Sequence, residues 1–235
     1  MNTSRRTALF GALLSVTAAV SVAHADFVSY SASTPLVGET TFNFNDSLSF
    51  PLFDPSLGTL NSIVFTLAGS ASADQKFENL SGTGGTVVTI STGTMSLFRP
   101  NNTPLVVTIP SLTNSIAAAQ FDGLIDFTGA SGHTYPTTAF SSSDTQTYAG
   151  GADLALFTGV GTIALPFTAI GNSSGSGTAN LITQFGLSGA STATVKYNFT
   201  PTEVPEASTY GSIGAVAIVG FLGYRRARRT ATTQA

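Results

Sequence analysis

Cysteine and tryptophan are absent from this 235-residue chain, and it holds only two histidines and two methionines. Without cysteine no disulfide can brace the fold, so a body living outside the cytosol must hold together by its core alone. Only His133 lies beyond the first 25 residues, too few of the usual ligands for a structural zinc site. Charge is equally scarce, at 9% of residues. Between Asp26 and Glu203 stand 11 acids and three bases (Lys76, Arg99, Lys196), a net of −8. With no basic patch to meet phosphates, a nucleic-acid partner is excluded. The other six bases sit at the two ends: Arg5 and Arg6 near the start, and Arg225, Arg226, Arg228 and Arg229 near the finish.

The start has the layout of a secretory signal peptide. Arg5 and Arg6 precede an apolar run from about Ala8 to Val22, and Ala23-His24-Ala25 forms a small-x-small cleavage site. Residues 1–25 are therefore expected to be removed by signal peptidase, with Asp26 the mature N-terminus. The apolar run is short for a membrane span. Ser4-Arg5-Arg6 is similar to a twin-arginine opening but lacks the phenylalanine that should follow, which favours general secretion.

What remains reads as strands. In "FNFNDSLSFPL" (42–52) the even positions Phe42, Phe44, Leu48, Phe50 and Leu52 are apolar, and Asn43, Asn45, Ser47 and Ser49 are polar. A period of two places one set in a core and the other in water. Ile63, Phe65 and Leu67 repeat the pattern, as do Ala193, Val195, Tyr197 and Phe199. "GTVVTISTGTMSLF" and "PLVVTIP" add β-branched segments of strand length. One helix is expected, short, over "SLTNSIAAAQF" (111–121), with Ser111 or Thr113 as cap. "TAIGNSSGSGTANL" (168–181) reads as a flexible Gly/Ser loop, and "TPTEVPEAST" as the linker leaving the domain. Many short strands bounded by Gly, Ser and Asn, with no fixed repeat, predict an all-β body over 26–201: an antiparallel β-sandwich or jelly roll. Ser and Thr supply 51 of the 178 residues from 26 to 203. Such a surface hydrates well and offers sites for O-linked sugars, while the strand propensity of Thr accounts for part of the excess.

Residues able to carry chemistry are few. Gly171-Asn172-Ser173-Ser174-Gly175 matches G-x-S-x-G, but that nucleophile motif needs a strand before it, a helix after it and a downstream histidine, and His133 lies upstream. Asp122 and Asp126 stand four apart, with Asp54, Asp144 and Asp153 scattered; Asp122-Gly123 and Asp54-Pro55 read as turns. No catalytic residues are assigned and no enzyme activity is expected. No cofactor or metal site is assigned either. Calcium held by loop carboxylates is an alternative, although no D-x-D-x-D-G spacing locates it. Tyr30, Tyr135 and Tyr148 lie in polar surroundings and are the candidates for an exposed sugar-stacking ring, with core or rim packing the commoner fate of such residues.

The finish is the most informative stretch. After a linker at 202–206 come 18 uncharged residues, Ala207 to Tyr224, and then a basic tail over 225–235. As a helix, 18 residues reach about 27 Å, which just spans a bilayer core of about 30 Å. The arginines would then stay on the cytoplasmic side and the body outside. Val204-Pro205-Glu206-Ala207-Ser208, the uncharged run and the arginine cluster together resemble the PEP-CTERM sorting signal of Gram-negative bacteria, departing from it in Ala207 where a second proline is usual. The resemblance implies processing by exosortase, a transient stay in the inner membrane, delivery to the surface or extracellular matrix, and an association with exopolysaccharide. The body is similar to the choice-of-anchor E domain in "LSFPLFDPSLGTLNSIVFTLAGS" (48–70), "GVGTIAL" (159–165) and "STATVKYNFTP". That resemblance implies no catalytic residues. A lectin-like module that binds the polymer, with or without calcium, stands as the alternative function.

Overall fold

A computed structural model describes residues 26–33, 41–202 and 221. Two antiparallel sheets face each other. The first runs β1 (Asp26–Ser33), β10 (Leu181–Pro201), β3 (Gly58–Asn79), with β7 (Gly132–Thr134) and β8 (Thr138–Tyr148) sharing the far side of β3. The second runs β2 (Phe44–Pro51), β9 (Thr162–Ser176), β4 (Gly85–Phe98), with β5 (Pro104–Thr108) and β6 (Ser111–Ala118) sharing the far side of β4. Chain neighbours β1 and β2, β3 and β4, and β9 and β10 lie in opposite sheets. Each connection therefore crosses the sandwich at its ends. A short helix, α1 (Gly151–Leu156), joins β8 to β9.

The alternating residues go where period two sends them. Ile63, Phe65 and Leu67 of β3 and Ala193, Val195 and Tyr197 of β10 are fully buried, and Phe199 nearly so. Leu48 and Phe50 of β2 are buried on the opposing sheet, as is Phe42 just before it, while Phe44 is half-buried against the core. Each large apolar side chain so placed contributes about 1.5–3 kcal/mol. The expected run of even positions ends at Phe50: Leu52 is half-buried and Phe53 enters the core in its place. The cause is a change of backbone path, because β2 ends at Pro51 and the chain bends into a 3-10 turn at Pro55–Leu57. Asp54 caps that turn by accepting a hydrogen bond from the Ser56 amide at 2.8 Å. This bond is the first cause of a carboxyl held below its ordinary pKa. The turn feeds directly into β3, as its Asp-Pro start suggested.

Two expectations are corrected. Residues 111–118 form strand β6, paired with Gly85–Thr92, and not a helix. Leu112, Asn114, Ile116 and Ala118 turn inward while their neighbours are exposed, so a weak local helical preference yields to ladder pairing with β4. The Gly/Ser stretch is likewise strand: β9 runs to Ser176, β10 begins at Leu181, and only four residues connect them. Among the described residues no helix is long and apolar enough to cross a membrane. The expected span 207–224 lies outside the described residues apart from Phe221, which is helical and exposed.

Candidate functional site

The interior between the sheets changes character along its length. One half is apolar and is closed laterally by β1 and β2. In the other half buried polar side chains sit beside a smaller apolar cluster of Phe77, Val87 and Ala118, and Gln75, almost fully buried, gathers the polar ones. Its Nε2 donates to Ser91 Oγ at 2.8 Å, and its Oε1 accepts from Thr89 Oγ1 at 2.6 Å and Asn114 Nδ2 at 2.9 Å. Ser91 Oγ lies 2.9 Å from Ser173 Oγ. These side chains satisfy one another, which removes most of the cost of burying them.

Residues 41–43 mark the boundary between the halves. Thr41 bridges to Ser188 on the first sheet, while the Asn43 amide donates to the Ala169 carbonyl on the second at 2.7 Å. The chain therefore steps from sheet to sheet within three residues, with Asn43 at φ 74° making the turn. Phe42 drops into the gap, where Gly93, Gly171 and Gly189 receive it; a Cβ on Gly189 would lie 2.6 Å from its ring. Beside this plug a cleft of about 370 Å³ opens to solvent, lined by Thr41, Asn43, Gly171, Ser173, Phe185 and Leu187. Its lining carries no charge. Two rings, the buried Phe42 and the half-buried Phe185, stand there beside neutral hydrogen-bonding groups.

The residues singled out for chemistry do not assemble. Ser173 of the G-x-S-x-G match lies in mid-strand on β9 and is joined to Ser91, not to a base. His133 on β7 meets the Tyr135 ring edge-on at 4.4 Å and the Phe77 ring at 6.3 Å. The aspartates have separate local tasks. Asp122 accepts from the Leu124 amide at 3.0 Å and Asp126 from the Thr128 amide at 2.9 Å, both as turn caps, and Asp144 accepts from Gln146. Asp153 holds Arg99 in a two-pronged ion pair at 2.7 and 3.1 Å. Arg99 also donates to the Pro104 carbonyl and lies over the Tyr148 ring at 4.7 Å, so it ties the 99–104 turn to α1. Its bond to Asp153 raises its already high pKa. Among the described residues no group of three His, Cys, Asp or Glu is placed to hold a metal.

Two of the three candidate tyrosines are half-buried. The Tyr148 hydroxyl donates to the Leu105 carbonyl, tying β8 to β5. The Tyr135 hydroxyl is buried with no hydrogen-bond partner, and burial raises its pKa. The Tyr30 side chain lies outside the described residues, as do the cleavage residues Ala23 and Ala25, the motif Val204, Pro205, Glu206, Ala207 and Ser208, and the arginines Arg225, Arg226, Arg228 and Arg229. Asp26, the expected mature N-terminus, opens β1 opposite Phe199.

No family model and no curated protein match this chain. Solved structures give slight overlaps with infectious bursal disease virus. The VP2 subviral particle has 11% identity and a TM-score of 0.14 over 76% of this chain and 38% of the other. The virus Gx strain has 15% identity and a TM-score of 0.10 over 86% and 49%. The chain thus spans less than half the length of these structures, and scores this low support no argument about fold or function.

Proposed function

We propose that this chain is an exported, non-enzymatic protein of the cell surface or extracellular matrix, delivered by a PEP-CTERM-type signal. The observation that carries the reading is the order at the C-terminus: Val204-Pro205-Glu206, 18 uncharged residues, then Arg225 to Arg229. Signal peptidase would release Asp26, the uncharged segment would hold the protein in the inner membrane, and an exosortase-type enzyme would cut near Pro205-Glu206. Removing residues 1–25 leaves β1 whole, because its first ladder pair is Asp26 with Phe199. The winding of the strands, with chain neighbours on opposite sheets, supports the jelly-roll member of the two expected architectures. A core sustained without disulfides and a surface rich in hydroxyls suit a hydrated polymer, and exopolysaccharide is the partner this reading implies. The test is intact-mass analysis of protein released at the surface. A species running from Asp26 to the neighbourhood of Glu206 is expected, and one that begins at Asp26 but keeps residues 225–235 would overturn exosortase processing.

A second reading, a lectin-like module, is favoured by one observation: the uncharged cleft that sets Phe185 beside Asn43 and Ser173. Calorimetric titration with host polysaccharide, with and without calcium, distinguishes it by saturable heat that a Ser173→Glu variant loses.

A further inference from the structure

Strand β10 is 21 residues long, and β3 pairs along all of it. On the other side β1 covers only Thr192 to Phe199, and a lone bridge joins Ser188 to Thr41. From Leu181 to Leu187 that side of β10 has no neighbouring strand among the described residues. Proteins blunt such edges with charges, prolines or bulges, because unpaired amides and carbonyls in a row template another strand. The sequence Leu-Ile-Thr-Gln-Phe-Gly-Leu has none of these, and its ladder with β3 is regular, the register shift falling far away at Asn198/Phe199. The inward residues Leu181, Thr183, Phe185 and Leu187 are only half-buried, whereas Val195 and Tyr197, on the part of the same strand that β1 covers, are fully buried. Among the described residues the edge lacks a lateral neighbour that would complete its burial.

We propose that the occupant of this edge is the same edge of a second copy, paired antiparallel about a two-fold axis through Gln184. In that register Gln184 faces Gln184, Ile182 faces Gly186, Thr183 faces Phe185 and Leu181 faces Leu187. A large residue meets a small one on the outer face, and on the inner face leucine meets leucine and phenylalanine meets threonine. Charge selects the same place. The body between Asp26 and Glu203 is net −8, so two copies repel over most of their surface, yet no charged residue stands between Asp153 and Lys196. The edge strand thus brings no acid of its own to the contact, while one strand in, on β3, Asp74, Lys76 and Glu78 stand opposite Gly186, Gln184 and Ile182. The joined sheets form one continuous ladder across the axis, an isologous contact that closes on itself. This inference goes beyond the sorting reading and does not depend on it.

The absence of cysteine makes the test clean. Directly opposed residues in an antiparallel pair have Cβ atoms about 4.5–5.5 Å apart, near the reach of a disulfide. Full-length Gln184→Cys, oxidised mildly, should give a covalent dimer on a non-reducing gel. Thr113→Cys on the exposed face of β6 should remain monomeric. A charge exchange supplies the second arm: Gln184 is exposed and faces Lys76 on β3, so Gln184→Glu should fold with unchanged melting and Gln184→Lys should fold but melt slightly lower. Two differently tagged full-length copies should co-purify as wild type, fail to do so when both carry lysine or both carry glutamate, and do so again when lysine meets glutamate. Equal crosslinking at positions 113 and 184, no recovery in the mixed pair, or wild-type copies that never co-purify would each overturn the proposal. In the last case, an edge filled instead by a glycan would show as polysaccharide protecting Gln184→Cys from alkylation.

Discussion

A Cβ built on Gly93 would lie 2.5 Å from Cε1 of Phe42, and its three nearest neighbours are all atoms of that ring. Gly93 sits opposite Gly171 on β4 and β9, so the two glycines make one hollow in the second sheet for a ring that enters between the layers. Gly93→Ala should therefore cost about 1–3 kcal/mol through overpacking. Phe42→Ala should cost about 3–5 kcal/mol through the cavity it leaves. The double variant should be less destabilised than the sum of the two, by at least about 1 kcal/mol, because the alanine methyl occupies space the ring vacated. Urea denaturation of the four proteins gives the cycle, and strict additivity would show that ring and glycine do not meet.

The register of β2 makes a second prediction. Phe50 is almost fully buried and Ser49, next to it, is exposed. Phe50→Asp should cost more than about 4 kcal/mol by placing an unpaired charge in the core, whereas Ser49→Asp should stay within about 0.5 kcal/mol of wild type. Equal losses in thermal melting would mean that the strand presents its other face.

These two sites also mark what a reader of the sequence can and cannot see. Strict alternation made Ile63 to Leu67, Ala193 to Phe199 and Phe42 to Phe50 legible, since period two is a local property of the chain. Strand β6 was hidden because Ser, Thr, Asn and Ala at 111–118 are neutral between states, and pairing with β4, some 25 residues away, decides among them. The Gly/Ser stretch looked flexible because glycine's meaning is positional. At Gly171 it marks close approach, and only the fold brings Phe42 there. The cleft and the free edge depend on where β1 and β2 stop against β10 and β9, a relation between strands more than 100 residues apart.

Tyr135 gives a third prediction. Its hydroxyl is buried without a partner and its pKa is raised by burial. Tyr135→Phe removes an unsatisfied polar group, so stability at neutral pH should be unchanged or higher by up to about 1 kcal/mol. The sign of the pH effect follows from the raised pKa. The folded state holds the phenolic proton more tightly than the unfolded chain, so this contribution is complete below about pH 10 and is lost as pH rises through the folded value. Wild type should thus lose more stability than the variant between pH 9 and pH 11, which denaturant melts across that window measure. A lower melting temperature for Tyr135→Phe at pH 7 would instead reveal a hydrogen bond made by that hydroxyl.

The last prediction concerns the C-terminal segment, where sequence alone carries the reading. Ala217 lies near the middle of the 18 uncharged residues, Ala207 to Tyr224. An arginine there should cost about 2.5–3.5 kcal/mol of insertion into the bilayer. Eighteen residues are barely enough to span the hydrocarbon and would leave little reserve, so under the proposed sorting Ala217→Arg should fail to halt in the membrane and should appear in the periplasm with residues 225–235 still attached. Replacing Pro205 and Glu206 by alanine leaves the hydropathy of that segment untouched. Insertion should persist while processing stops, and the protein should accumulate in the inner membrane. Fractionation followed by intact-mass measurement separates the two outcomes. If both variants are trimmed and reach the surface as the wild type does, neither the span nor the Pro-Glu motif governs sorting.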